Sequence, residues 1–171
     1  MLLILMNFSS LKEYFYRLYN YGLTRMLIPM IGFLAVYYLF LTKQWFALID
    51  NEEMNSWLWK FFAFLIFIML TIVHWQSVRT LNKISSRVGL GLKLEEYYSV
   101  VRAKTNSYVW AAFLLLTGFF CTADQGFSAC FGVVIIWYWM QWPLPRKVCR
   151  QLKLRGDERE MVLSKGEAFR F

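Results

Sequence analysis

Four apolar runs, residues 26–41, 57–75, 108–121 and 127–142, alternate with segments whose charge switches sign, and that pattern leaves few folds open. Each run is long enough, or nearly so, to cross a hydrocarbon core about 30 Å thick as a helix. Within lipid a lone segment satisfies its backbone polar groups by helical hydrogen bonding. The chain therefore reads as an all-α integral membrane protein with four transmembrane helices in two hairpins, forming one membrane domain over residues 1–171.

Lys and Arg are retained on the cytoplasmic side of short loops, so their distribution gives an orientation. Three basic residues occur up to Arg25, six lie in 76–107 and eight follow Pro143. The two other connections are acidic: 42–56 sets Lys43 against Asp50, Glu52 and Glu53, and 122–126 carries only Asp124. The expected topology is N-in/C-in, with both termini cytoplasmic, in a bacterial-type inner (plasma) membrane. Lys60 lies one turn inside the second run, where its stem can return the ammonium to the outer surface. Aromatic placement gives the same levels, because Trp and Tyr gather where a ring meets lipid and its polar atom meets water. Trp45, Trp57 and Trp59 mark the outer level; Trp75, Tyr108, Trp110 and Trp142 mark the inner one.

Composition narrows the partners. At 58% hydrophobic and 20% aromatic residues the chain departs from soluble domains. Its net charge of +8 comes from cations that flank apolar runs rather than from a basic face, which points to anionic lipid headgroups and not to nucleic acid.

Three segments outside the runs carry their own patterns. Residues 1–6 are apolar but lack a preceding basic region and a small-residue cleavage site, so they do not read as a secretory signal, and Met6 is an alternative initiator. Ser10 and Glu13 have capping-box spacing, and Leu11, Tyr14, Phe15, Leu18 and Gly22 follow at helical intervals, which predicts an amphipathic interfacial helix over 10–22. In 76–107, Val78, Leu81, Ser85 and Val88 keep helical spacing, Gly89-Leu90-Gly91 interrupts it, and Leu94, Tyr97, Tyr98 and Val101 resume it. That predicts a helical cytoplasmic hairpin. Pro143 and Pro145 should end the fourth run. The basic tail over 143–171 reads as a surface helix, with Val148 and Leu152 on one face, then a break at Gly156 and a frayed end at Phe171.

The candidate partner or lipid surface comprises Arg79, Lys83, Arg87, Lys93, Arg102 and Lys104 of the hairpin with Arg146, Lys147, Arg150, Lys153 and Arg155 of the tail. Covalent chemistry is sparse. Cys121 and Cys130 flank the short outer turn and are a candidate disulfide, while Cys149 should be a cytoplasmic thiol. No Cys-x-x-Cys occurs, which removes the pair that disulfide-to-quinone electron transfer needs. His74 is the one histidine and has no second strong ligand near it in sequence for a metal or haem. A Ser-His-Asp hydrolase would need it to meet Asp50 or Asp124, both expected at the opposite surface. Trp137, Tyr138 and Trp139 read as helix packing.

The run centres are almost uniformly apolar, with Thr71 and Thr117 able to bond to their own helices and Pro29 near a first turn, so a monomeric ion pore is not expected. Ser128 and Gly132 form a small-xxx-small pair that would permit close helix contact, and a homo-oligomer is allowed. The expected function is a noncatalytic multi-span subunit that anchors or assembles a membrane complex through its cytoplasmic hairpin and tail, bound to the bilayer and to a protein partner. No catalytic residue, metal or cofactor is expected. The alternatives are a small transporter or oligomeric channel, and a membrane redox protein using quinone or haem.

Overall fold

A computed structural model describes residues 10–44, 48–49 and 51–164. The apolar start at 1–6, Trp45, Asp50 and Phe171 lie outside the described residues. The chain forms six helices among them: α1 (Leu11–Leu41), α2 (Glu52–Ser85), α3 (Leu90–Thr122), α4 (Gln125–Met140), α5 (Pro145–Gln151) and α6 (Gly156–Leu163). No strand occurs among the described residues.

Local chemistry explains the boundaries. Ser10 Oγ accepts the Glu13 backbone N–H at 3.2 Å, which starts α1, and the Glu13 carboxylate pairs with Arg17 one turn on. Three helices close on non-glycine residues with positive φ: Lys43, Ala123 and Lys153. At two of these ends the next N–H reaches back five residues, from Gln44 to the Leu39 carbonyl and from Leu154 to the Cys149 carbonyl, so orphan carbonyls are satisfied. Asp124 caps α4, its Oδ1 accepting the Gly126 N–H at 2.6 Å. Pro143 and Pro145 follow α4 directly, and Pro145 opens α5, where its missing N–H removes no helical bond.

Helix extents differ from the sequence reading in four places. Residues 10–22 do not form a separate interfacial helix: nothing between Gly22 and Met26 breaks helical geometry, and α1 is continuous for 31 residues. Pro29 consequently sits in a helix interior rather than near a first turn, and removes one backbone hydrogen bond there. The break between α2 and α3 falls at 86–89, with Gly89 at φ 99°, while Leu90 and Gly91 already belong to α3. The charged run at 157–160 is helical, because Val162 of α6 is fully buried and holds the segment in place.

Two helices, α1 and α2, are long and apolar enough to cross a membrane. The first half of α3 carries Lys93, Glu95, Glu96, Arg102 and Lys104, and α4 has 16 residues, about 24 Å at 1.5 Å per residue.

The chain divides into two compact units, each assembled from separate stretches. Unit 1 comprises Met1–Leu23, Trp75–Lys104 and Pro143–Phe171; unit 2 comprises Thr24–His74 and Thr105–Trp142. Each has its own core. In unit 2, parts of α1, α2, α3 and α4 surround Phe33, Ile66, Leu70, Ala111, Ala112, Leu115, Phe119 and Phe131. Phe33 stacks on Phe131 with ring centroids 4.0 Å apart. Ala111 and Ala112 of α3 are both fully buried in this core. In unit 1, Tyr14, Phe15 and Leu18 of α1 pack with Ile84 of α2, Leu94 and Tyr97 of α3, and Val148, Leu152 and Val162 of the C-terminal helices. The aromatic face expected to meet lipid headgroups is therefore covered by protein: Tyr14, Phe15 and Leu18 are all buried.

Candidate functional site

All eleven cations of the candidate surface fall in unit 1. Sixteen of the nineteen Lys and Arg residues, but seven of the eleven Asp and Glu, belong to it, so unit 1 has nine more cations than anions and unit 2 one fewer.

The side chains fall into three groups. Arg79, Lys83, Arg87, Arg102, Arg146, Arg150, Lys153 and Arg155 are exposed. Several are nonetheless positioned: the Arg79 guanidinium lies 3.3 Å from the centroid of the Trp75 ring, Arg102 lies 5.4 Å from that of Tyr21, and Arg87 pairs with Glu96. Such stacking holds a cation in place without neutralising it.

Lys93 departs from the expected surface role. It is buried, and its ammonium donates to Glu158 Oε2 of α6 at 2.8 Å. Nearby, the Tyr97 hydroxyl donates to Gln151 Oε1 at 2.8 Å, and the Tyr14 hydroxyl donates to the Leu94 carbonyl at 2.9 Å. Burial raises the Tyr97 hydroxyl above its ordinary range, with Tyr19 adding to the effect. These bonds make α5 and α6 packed elements of unit 1. The sequence signal for this, an acidic first turn on α6 after Gly156 and an apolar Val162, is short and competes with the high charge of the segment.

The third group is Lys104 and Lys147, both half-buried. Burial, and then the proximity of Lys147, pushes Lys104 down to about 8 from 10.5. Lys147 is lowered by burial and by Arg150. A like charge beside a partly dry ammonium disfavours its charged form.

Unit 2 offers different chemistry. Lys60 lies 5.9 Å from the Trp57 ring centroid and 5.7 Å from that of Trp59. Asn55 is buried and donates through Nδ2 to the Ile49 carbonyl at 3.0 Å, tying the connection before α2 to that helix. An apolar hollow of about 350 Å³ is bordered by Phe67, Leu70, Leu115, Cys130, Val133 and Trp137. It lacks the convergent polar groups that orient a substrate. Cys121 and Cys130 are free thiols, half-buried, and Cys149 is a buried thiol whose pKa burial raises. His74 is half-buried on α2, and no group of three or more His, Cys, Asp or Glu with metal-binding spacing occurs among the described residues. Gly132 of the small-xxx-small pair faces open space, with nothing within 4 Å of an added Cβ.

The arrangement can attract and neutralise anions over unit 1 and present an apolar exterior over unit 2. No family model, no curated protein and no solved structure matches this chain.

Proposed function

We propose that the chain is a noncatalytic four-span membrane subunit, N-in/C-in, that anchors or assembles a larger complex through a cytoplasmic surface built by unit 1. One observation carries this reading. The stretches that pack together as unit 1, Met1–Leu23, Trp75–Lys104 and Pro143–Phe171, coincide within a few residues with the three segments whose positive charge assigns them to the cytoplasm. Packing and charge are independent properties of the chain, and they divide it at nearly the same places.

The aromatic spacing along α2 supports the same placement. Trp57 and Trp75 lie eighteen residues apart on one unbroken helix, about 27 Å at 1.5 Å per residue, close to the hydrocarbon thickness of about 30 Å. Lys60 beside Trp57 and Trp59, and Arg79 over Trp75, are the amphipathic anchors that interfaces favour. On this reading the short α4 is accommodated by local thinning of the bilayer or by flanking residues. Unit 1 then offers exposed cations on a packed helical scaffold, which suits an acidic face of a protein partner together with anionic lipid headgroups.

Crosslinking in native membranes followed by mass spectrometry tests the functional proposal. A reproducible partner linked to Lys83, Lys153 or their neighbours is the expected result; recovery of this chain alone would overturn it. Reporter fusions in 42–56 and 86–89 test the topology separately, with the first expected outside and the second inside.

A further inference from the structure

The apolar hollow of unit 2 has a shape that narrows what can fill it. Ala63, Phe67 and Leu70 of α2 line one side, Ala129 and Trp137 of α4 the other, and the fully buried Leu115 of α3 lies at its base. The stretch from Ala129 to Trp137 is about 12 Å long at 1.5 Å per residue. The Phe67 and Trp137 rings meet from the two sides, 6.3 Å between centroids, and bridge the groove there. Ala63 and Ala129, with nothing beyond a methyl group, leave it open at the other end. Protein interiors keep few voids larger than a water molecule, and a space of about 350 Å³ left empty would forfeit the contacts of every side chain around it. A partner's helix needs a continuous seam of small residues, which the aromatic bridge interrupts. A hydrocarbon chain can enter between the alanines, and it asks for none of the polar groups that the lining lacks.

Lys60 identifies the molecule to which that chain belongs. It precedes Ala63 by three residues, and Ala63 precedes Phe67 by four, so the three share one face of α2. Side chains on a helix lean toward its N-terminus. The Lys60 ammonium accordingly lies beside Trp57 and Trp59, 5.9 and 5.7 Å from their ring centroids, at an exposed position beyond the open end of the groove. On the four-span reading this is the depth of the outer headgroups, with the groove below it at the depth of the acyl chains. We infer that α2 and α4 hold one anionic phospholipid, with an acyl chain in the groove and its phosphate against Lys60. The inference rests on the four-span reading proposed above and adds to it a stoichiometric ligand. The ammonium donates charge-assisted hydrogen bonds to the phosphate, which fixes the headgroup, and the groove fixes the chain.

The test uses the full chain reconstituted in vesicles of mixed phosphatidylcholine and phosphatidylglycerol, then released into mild detergent for native mass spectrometry. The expected result is one phosphatidylglycerol retained per chain. Lys60→Gln should lower the retained ratio of phosphatidylglycerol to phosphatidylcholine by about fivefold, the worth of one cation at a membrane surface. Ala129→Phe, which fills the open end from an exposed position, should abolish retention of both lipids. Lys43→Gln and Leu34→Phe, at exposed positions that do not line the groove, should retain the lipid. Unchanged retention in Ala129→Phe, or an unchanged ratio in Lys60→Gln, would overturn the proposal, and equal losses in the Lys43 and Leu34 variants would overturn it in favour of loosely held boundary lipid. A lipid-free pair of chains would overturn it in favour of a second copy as the occupant. Flotation with pure phosphatidylcholine vesicles separates the two levels: a chain that does not float refutes the membrane reading itself, while one that floats and retains no lipid refutes only the site.

Discussion

The Phe127 ring fills the space that a side chain on Gly118 would occupy: an added Cβ would have three ring carbons within 2.7 Å. Phe127 belongs to the buried core of unit 2, with Phe62 beside it at 6.1 Å between ring centroids, so the ring has little room to withdraw. Gly118→Ala should therefore destabilise the chain by about 1–3 kcal/mol, the usual penalty for overpacking. Gly132→Ala, on a helix that presents that position to open space, should be neutral or stabilising by up to about 1 kcal/mol from helix propensity. Thermal unfolding of the two variants in the same detergent checks the opposite signs.

Lys93 and Glu158 join α3 to α6 within unit 1, and Lys93 is the more enclosed partner, with its side chain 11% exposed against 33% for Glu158. Removing either end leaves the other partly dry and unpaired. Lys93→Ala should cost about 1–3 kcal/mol, between the values for exposed and fully buried pairs. Glu13→Ala, which breaks the helical pair with Arg17, should cost about 0.5 kcal/mol or less. Proteolysis of the C-terminal residues should accelerate in Lys93→Ala and stay unchanged in Glu13→Ala, a comparison that separates loss of the α6 contact from general destabilisation.

Lys104 gives a pH dependence with a definite sign. Its folded value of about 8 lies below the ordinary 10.5, so between those pH values the unfolded chain binds more protons than the folded one. Stability from this group rises with pH across that window and is least below pH 8. Lys104→Met should raise the unfolding temperature at pH 7 by roughly 2–4 °C, and the advantage should fade as the pH approaches 10.5. Melts in neutral detergent, free of anionic lipid, at pH 7 and pH 10 provide the measurement. A constant advantage would trace the gain to packing instead of charge.

The three thiols should separate by access. Cys121 and Cys130 are free and half-buried, and Cys149 is buried with Sγ directed at the Arg159 carbonyl at 3.9 Å. Denatured without reductant, the protein should take up three maleimides per chain, counted by intact mass. In the native state Cys149 should label slowest, because burial disfavours the thiolate that reacts. Uptake of one maleimide by the denatured chain would mean that the other two sulfurs are bonded.

Legibility in the sequence followed the length scale of each signal. Periodic apolar spacing over a dozen or more residues anticipated helix from 57–75 and 108–121, and Pro143 with Pro145 marked the end of α4, because a missing N–H acts locally whatever the surroundings. The Ser10 cap was visible for the same reason. Contacts that depend on distant partners were not. Glycine at 118 and 126 reads as ordinary flexibility until the Phe127 ring and the Trp59 ring, 2.5 Å from an added Cβ, are in place. Lys93 was grouped with surface cations because its partner lies sixty-five residues away. Tyr14 and Phe15 show an amphipathic face equally well whether lipid or protein covers it, so the pattern gave the helix and not its neighbour. Lys104 and Lys147 looked like any other flanking cations, since proximity across forty-three residues has no local signature.

Unit 1 draws its core from the beginning, middle and end of the chain, and this has a consequence for biosynthesis. Translation proceeds from the N-terminus, so Tyr14, Phe15 and Leu18 are made well before Val148, Leu152 and Val162 of the same core. Until then the core of unit 1 has only its contributions from α1, α2 and α3, and is open to a chaperone or to the lipid surface that the α1 pattern also suits. A ribosome stalled after Trp142 would already have supplied every residue of unit 2 and none of α5 or α6. The core of unit 1 would thus be complete only after α6 has left the ribosome.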